Sequence, residues 1–234
     1  PESWDREREI AFYPGLCIGC GDCTRICPEG AAHMDRPTRI DRDHCTACGR
    51  CAEACPSTAL KVVGMQYGIG DLAGLVLGNR VFFDASGGGV TFSGGEPTMH
   101  MDYLREVLRR LKQAGLHVAL QTSGMFDLDE FREKMLPFVD LIHYDIKILD
   151  REQHRRFTGA GNERILDNFT ALWNEGRTEI IPRTPLVPGI TATEGNIGAI
   201  ARFLRKQGCS RYELLPYNPG GIAKRRALGK AGGT

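Results

Sequence analysis

The sequence predicts an α/β protein: a parallel sheet, either a partial barrel or doubly wound, with a small cysteine-rich module ahead of it. Three observations predict it. Eight of the nine cysteines fall between Cys17 and Cys55, in two copies of one pattern. Beyond about residue 66, helix-period and strand-like runs alternate with glycines between them. The strand-like runs each deliver polar residues to their carboxyl ends.

The first copy reads Cys17-Ile-Gly-Cys20-Gly-Asp-Cys23-Thr-Arg-Ile-Cys27-Pro28, and the second Cys45-Thr-Ala-Cys48-Gly-Arg-Cys51-Ala-Glu-Ala-Cys55-Pro56. Both follow C-x2-C-x2-C-x3-C-P, the bacterial ferredoxin spacing for two 4Fe–4S clusters. Three closely spaced thiolates emerge from one tight loop and wrap one face of a cubane. The fourth points away and ligates the partner cluster. Cys17, Cys20, Cys23 and Cys55 are therefore assigned to one cluster, and Cys45, Cys48, Cys51 and Cys27 to the other. Disulfides or zinc clips explain neither a third cysteine at the same step nor the Cys-Pro that closes both copies. The copies superpose with a period of 28 residues, as in Gly21/Gly49 and Ala31/Ala59. So short a module has little room for an apolar core, and the clusters substitute for one. Cys209, alone after Gly208, reads as a packed or free thiol.

With 234 residues, the chain is long enough for one larger domain beside a small one. Its formal charge of +1 argues for neither nucleic acid nor acidic lipid as partner. No apolar run has membrane-spanning length, and the start shows no signal-peptide pattern. Thiolates at this density imply a reducing, oxygen-poor cytoplasm. The basic tail, Lys224, Arg225, Arg226 and Lys230, reads as a solvated end.

Tyr103, Leu104, Val107, Leu108 and Leu111 form an apolar stripe at helical spacing, stopped by Gly115. Residues 116–120 then read as a strand, 127–136 as a helix, and 139–142 as a strand. Ile165, Leu166, Phe169, Leu172 and Trp173 make the next helical stripe, closed by Gly176 and followed by a strand over 178–181. Ile197, Ile200, Ala201 and Leu204 mark the last helix, and 211–215 the final strand. Binding sites in such sheets lie at the carboxyl ends of the strands.

Those ends are polar. After Val90 to Phe92 comes Ser93-Gly94-Gly95-Glu96-Pro97; after Leu120 comes Gln121-Thr122-Ser123-Gly124; after Ile142 comes His143-Tyr144-Asp145-Ile146-Lys147. Arg183 lies in or near the next strand, and Pro216-Tyr217-Asn218 follows Leu215. A Gly-Gly turn or an Asp-x-Lys alone is weak evidence, but their shared position is stronger. Gly94 and Gly95 have no side chain to bar a ligand from the backbone, so carbonyls there can accept from an ammonium group. Arg183 can fork onto a carboxylate, and Lys147 can supply a point charge. An amino-acid-like zwitterion suits this rim.

The chain resembles the activating enzymes of glycyl radical enzymes, members of the radical S-adenosylmethionine (SAM) superfamily, in the branch with an inserted two-cluster ferredoxin domain. The resemblance runs from Pro1 to about Lys230. It rests on the cysteine repeat, then Gly87-Gly88-Gly89-Val90-Thr91-Phe92-Ser93-Gly94-Gly95-Glu96-Pro97, Tyr144-Asp145-Ile146-Lys147, Phe157-Thr158-Gly159, Val187-Pro188-Gly189 and Leu214-Leu215-Pro216-Tyr217-Asn218. It implies a partial (β/α)6 TIM-like radical SAM barrel with its first strand missing, and divides the chain into an N-terminal remnant (1–9), a ferredoxin domain (10–65) and the barrel (66–234). By the same likeness Gly94, Gly95 and Glu96 hold the amino group of SAM. Thr122 and Asp145 help hold a monovalent cation beside its carboxylate, Lys147 and Arg183 line the pocket, and Asn218 lies near the adenosine end.

Two departures stand out. Gln121 occupies a position often acidic in the family, and none of the nine cysteines has the catalytic C-x3-C-x2-C spacing. In the family that triad is followed closely by Asn-Pro-Glu, and this chain begins Pro1-Glu2-Ser3. The likeness thus implies a sequence that starts just downstream of the triad, inactive as given, with a third cluster in the intact protein; the end at Thr234 is similarly abrupt. The implied reaction is reductive cleavage of SAM to methionine and a 5′-deoxyadenosyl radical, which takes hydrogen from a glycine of the partner enzyme. Flavodoxin or ferredoxin is the implied electron donor, and the protein a monomer. The inserted clusters are open to three roles: relay, docking surface or structural support. Two other functions compete: a non-catalytic electron carrier, and a different radical SAM enzyme with auxiliary clusters. The insert's position ahead of Ser93-Gly94-Gly95-Glu96-Pro97 favours the activating enzyme.

Overall fold

The computed structural model describes residues 7–218 and 220–230, which fall into two units. The first comprises residues 7–66 together with 218 and 220–230. In it β1 (Glu9–Phe12) pairs antiparallel with β2 (Leu60–Val63), Phe12 opposite Leu60. Between them lie two short helices 28 residues apart, α1 (Asp22–Ile26) and α2 (Arg50–Glu53). The repeat extends to the backbone. Gly21 and Gly49 enter the helices with φ of 79° and 90°, and the pairs Gly19/Ala47 and Gly30/Thr58 are left-handed in both copies. Ile10, Phe12, Ala32, Ile40, Ala59 and Leu60 form a small core onto which the cysteines pack.

The second unit spans residues 67–217. It opens with α3 (Ile69–Leu77) and α4 (Arg80–Ser86), followed by β3 (Gly89–Phe92), α5 (Met101–Gln113), β4 (His117–Thr122) and α6 (Leu128–Lys134). Then come β5 (Leu141–Asp145), α7 (Arg151–Thr158), α8 (Glu163–Glu175), β6 (Glu179–Pro185), α9 (Glu194–Lys206) and β7 (Glu213–Leu215). All five strands are parallel, in the order β3-β4-β5-β6-β7. A doubly wound sheet reverses its strand order at a switch point. This one does not reverse, so the open alternative resolves to a partial barrel.

Its core is the helix-facing side of the sheet. Leu104, Val107, Leu108 and Leu111 of α5 meet Val118, Leu120, Ile142 and Tyr144, with Phe131, Phe169 and Ile200 from the other helices, all at most 4% exposed. Side chains alternate across a strand, so Leu141, His143 and Asp145 face the opposite side. The strands also run further than expected: β4, β5 and β6 contain Gln121 and Thr122, His143 to Asp145, and Arg183. Gln121, Thr122 and Asp145 are thus the last residues of their strands, whereas Ser93 to Glu96, Ser123 and Lys147 follow the strands as expected.

The helix at 194–206 is not the last. A further helix, α10 (Gly220–Ala227), belongs to the first unit, where Ala227 and Leu228 pack on Ala11, Tyr13 and Val63. Lys230 pairs with Glu9 at 2.8 Å, which ties part of the basic tail to the hairpin. Of the expected N-terminal remnant (1–9), residues 1–6 lie outside the described residues, as do 231–234, while Glu9 already belongs to β1. The expected barrel domain ran to 234, whereas the described residues from 218 onward group with the first unit.

Candidate active site and cluster sites

At the carboxyl rim of the sheet, Ser93, Gly94, Gly95, Glu96, Gln121, Thr122, Ser123, Asp145 and Lys147 line an open pocket of about 350 Å³. That volume lies within the roughly 300–1,000 Å³ usual for small-molecule sites. Three strands converge on it because sequential parallel pairing puts the ends of β3, β4 and β5 side by side.

Glu96 braces the loop. Its Oε1 accepts from Thr98 N–H at 3.2 Å, Thr98 Oγ1 at 2.8 Å and Thr122 Oγ1 at 2.8 Å. Its Oε2 accepts from Ser123 N–H at 2.8 Å and Ser123 Oγ at 2.6 Å. Five donors fix the carboxylate and tie the end of β3 to the end of β4. Thr122 Oγ1 also accepts from Gly124 N–H at 3.1 Å, so one lone pair is left over. Gly94 takes a φ of 123°, closed to most side chains.

Asp145 is the unsatisfied group. Its Oδ1 is buried and has no hydrogen-bond partner among the described residues, while Oδ2 lies 3.7 Å from Lys147 Nζ. Burial pushes its carboxyl above the usual carboxylate range, and Lys147, Gln121 and Arg183 pull the other way without cancelling it. A buried carboxylate oxygen facing a polar pocket calls for a cation or a ligand N–H.

Arg183 stands opposite Asp145 in the β5–β6 register, but it does not line the pocket. Its Nε donates to Glu213 Oε2 at 2.9 Å, and Arg211 Nη2 donates to Glu213 Oε1 at 2.9 Å. Burial works against the Glu213 charge, yet these bonds hold its carboxyl below the usual range. Asn218 falls in the first unit, where its Oδ1 accepts from Gly220 N–H at 2.9 Å. The pocket thus brings together Gly94, Gly95, Glu96, Thr122, Asp145 and Lys147, with Ser93, Gln121 and Ser123 added.

Sequence reasoning missed the residues that hold the loop after β5. Asn196 Nδ2 donates to the carbonyls of Lys147 (2.9 Å) and Thr191 (3.0 Å), and its Oδ1 accepts from Leu149 N–H at 3.0 Å. Asn162 Nδ2 donates to the Ile148 and Leu149 carbonyls at 3.0 and 2.7 Å. The available signal was weak: an asparagine in the first turn of one predicted helix and another just ahead of the other.

In the first unit two cavities are framed by cysteines. Cys17, Cys20, Cys23 and Cys55 line one; Cys27, Cys45, Cys48 and Cys51 line the other. All nine cysteines are free thiols. Among the described residues no three His, Cys, Asp or Glu side chains converge closely enough to hold a single metal ion. Four thiols spaced around a cavity instead fit the corners of a cubane. Ala31 N–H points at Cys27 Sγ (3.3 Å) and Ala47 N–H at Cys45 Sγ (3.4 Å), as suits thiolates. Burial and the neighbouring thiols Cys45, Cys27 and Cys48 push the Cys51 thiol up to about 11, so a set of thiolates here calls for a positively charged group between them. Cys209 is partly buried, and its thiol donates to the Arg211 carbonyl at 3.1 Å.

A parallel partial barrel with a polar carboxyl rim defines a class, and the radical SAM superfamily profile matches residues 80–204 of this chain. A 4Fe–4S dicluster domain profile matches residues 16–59. The isethionate sulfite-lyase activating enzyme of Desulfovibrio desulfuricans is 40% identical over 98% of this chain and 76% of its own length. The benzylsuccinate synthase activating enzyme of Thauera aromatica is 36% identical over 99% of this chain and 72% of its own. Among solved structures, a domain of pyruvate-formate lyase-activating enzyme from Bacteroides vulgatus is similar, with a TM-score of 0.51 at 30% identity, covering 61% of this chain and 92% of that one. The chain belongs to the radical SAM activating enzymes of glycyl radical enzymes.

Proposed function

We propose that the rim pocket of this chain binds the amino-acid end of SAM, and that its eight paired cysteines hold two 4Fe–4S clusters, in an enzyme whose deoxyadenosyl radical takes hydrogen from a glycine of a partner protein. The buried, unpartnered Oδ1 of Asp145 carries the reading of the pocket. It would help hold a monovalent cation, which would supply positive charge for the ligand carboxylate, while Lys147 supplies a positive charge beside it. The backbone of Gly94 and Gly95 accepts from the ligand ammonium, and Glu96, held by five donors, keeps that loop in place and adds negative charge. Arg183, fixed by Glu213, contributes its charge from the neighbouring strand.

When bound, the clusters supply single low-potential electrons. The chain's part is to hold them: Cys17, Cys20, Cys23 and Cys55 around one, Cys27, Cys45, Cys48 and Cys51 around the other. The electron donor in this reading is flavodoxin or ferredoxin, the setting a reducing cytoplasm, and the protein a monomer. Among the described residues, no helix is long and apolar enough to cross a membrane.

Calorimetric titration of the anaerobic chain with SAM, in potassium buffer, tests the pocket. Binding that weakens at least tenfold in Asp145→Asn supports it; equal binding by wild type and variant overturns it.

A further inference from the structure

The 28-residue repeat makes the two cysteine sites near copies in backbone, yet their charged surroundings differ. Arg39 lines the cavity of Cys17, Cys20, Cys23 and Cys55 and directs Nη2 at Cys17 Sγ, 3.8 Å away. The arginine is held firmly there. Its φ of 62° is left-handed, a conformation a non-glycine residue seldom takes. Nη1 donates to the Met34 carbonyl and approaches the His33 carbonyl at 3.5 Å, and the guanidinium lies 5.7 Å from the centre of the Phe12 ring. On the same site Ser57 Oγ lies 3.6 Å from Cys55 Sγ.

The repeat places Glu29 at the position equivalent to Ser57. Glu29 lines the cavity of Cys27, Cys45, Cys48 and Cys51, and among the described residues no arginine, lysine or histidine lines it. Arg8 approaches this site from outside its lining: its guanidinium lies 3.4 Å from where a Cβ on Gly49 would stand, and it shares a surface hollow with Cys45 and Thr46. One site therefore carries a guanidinium and a hydroxyl aimed at its sulfurs, where the other carries a carboxylate in its lining and a guanidinium only outside it. Reduction adds negative charge to a cluster; a nearby cation and hydrogen-bond donors favour it, and a carboxylate opposes it.

We propose that the two cluster sites are electronically unequal, the Cys17/Cys20/Cys23/Cys55 site being reduced first, with Arg39 raising its potential and Glu29 lowering that of its neighbour. This rests on the assignment of a 4Fe–4S cluster to each site. The step is a one-electron reduction of each cluster from the 2+ to the 1+ core, with dithionite as the electron source. In the partly reduced protein the electron resides on the Arg39 side.

Redox titration of the anaerobically reconstituted chain, followed by electron paramagnetic resonance, reads this directly. Two separate waves are expected in wild type. Arg39→Gln lowers the upper wave alone, Arg39→Lys recovers part of the shift, and Glu29→Gln raises the lower wave alone. A single wave that neither Arg39→Gln nor Glu29→Gln moves overturns the inference, as does an Arg39→Gln effect confined to the lower wave. If Arg39→Gln fails to take up iron, Glu29→Gln decides. The iron content separates the two levels: about eight irons per chain with one unsplit wave sinks only the inequality, whereas a chain that takes up no iron sinks the cluster assignment beneath it.

Discussion

Gly124 and Tyr144 occupy almost the same space: a Cβ on Gly124 would fall inside the Tyr144 hydroxyl, which is fully buried and donates to the Ile165 carbonyl at 2.7 Å. Gly124 also has a left-handed φ of 79°, and its N–H donates to Thr122 at the pocket. Tight packing and turn chemistry meet at one residue.

Gly124→Ala therefore destabilises the protein by about 2–5 kcal/mol, the sum of overpacking and left-handed strain. Chemical denaturation checks it. A change below about 0.5 kcal/mol would show that the turn opens without loss.

Glu96→Gln puts an amide NH2 against the donors of Thr98 and Thr122 or those of Ser123, since only one end of the amide accepts. The expected loss is about 2–3 kcal/mol in stability. SAM binding measured on the same variant should weaken as well, because the loop from Gly94 loses its brace.

The two buried-side aspartates respond to pH with opposite sign. Although burial opposes its charge, Lys112 at 2.7 Å and the Val118 N–H hold the Asp140 carboxyl below its ordinary 3.8. Its contribution is present above that value and is lost as pH falls through the lower folded value. Asp145 is raised by burial, so its contribution is present below 3.8 and lost as pH rises through its folded value. At pH 7 Asp140→Asn should thus destabilise and Asp145→Asn stabilise, with both differences closing in acid as the wild-type carboxyls protonate. Denaturant midpoints across pH 3–7 provide the check.

Thr58 repeats the left-handed φ of Gly30 at 55° without being glycine. Thr58→Gly should stabilise by about 0.5–1 kcal/mol, strain relief less the added chain entropy. The measurement is the denaturation midpoint of the reconstituted chain, compared with Gly30→Thr, which should move the other way.

The helices with one apolar face were legible because periodicity reports burial: α5, α8 and α9 each contain the stripe read for them. The ends of β4 and β5 were not, because Gln121, His143 and Asp145 sit on the polar face of the sheet and break the apolar run. For α7 only His154 is buried, which leaves no stripe to read. The cysteine sets were legible from spacing, and the cavities group the same eight residues. Ala47 and Thr58 hid the backbone repeat because their residue types do not announce a left-handed φ. Arg183 was read as a pocket residue from its place near a strand end and from the family likeness, and its bond to Glu213 depends on a strand register that no local pattern encodes.

Anaerobic reconstitution of the chain, with iron, sulfide and zinc counted per polypeptide, tests the two interleaved cluster sites most directly. About eight irons and eight sulfides is the expected result. Zinc in their place, or about four irons with all eight cysteines intact, would contradict the assignment.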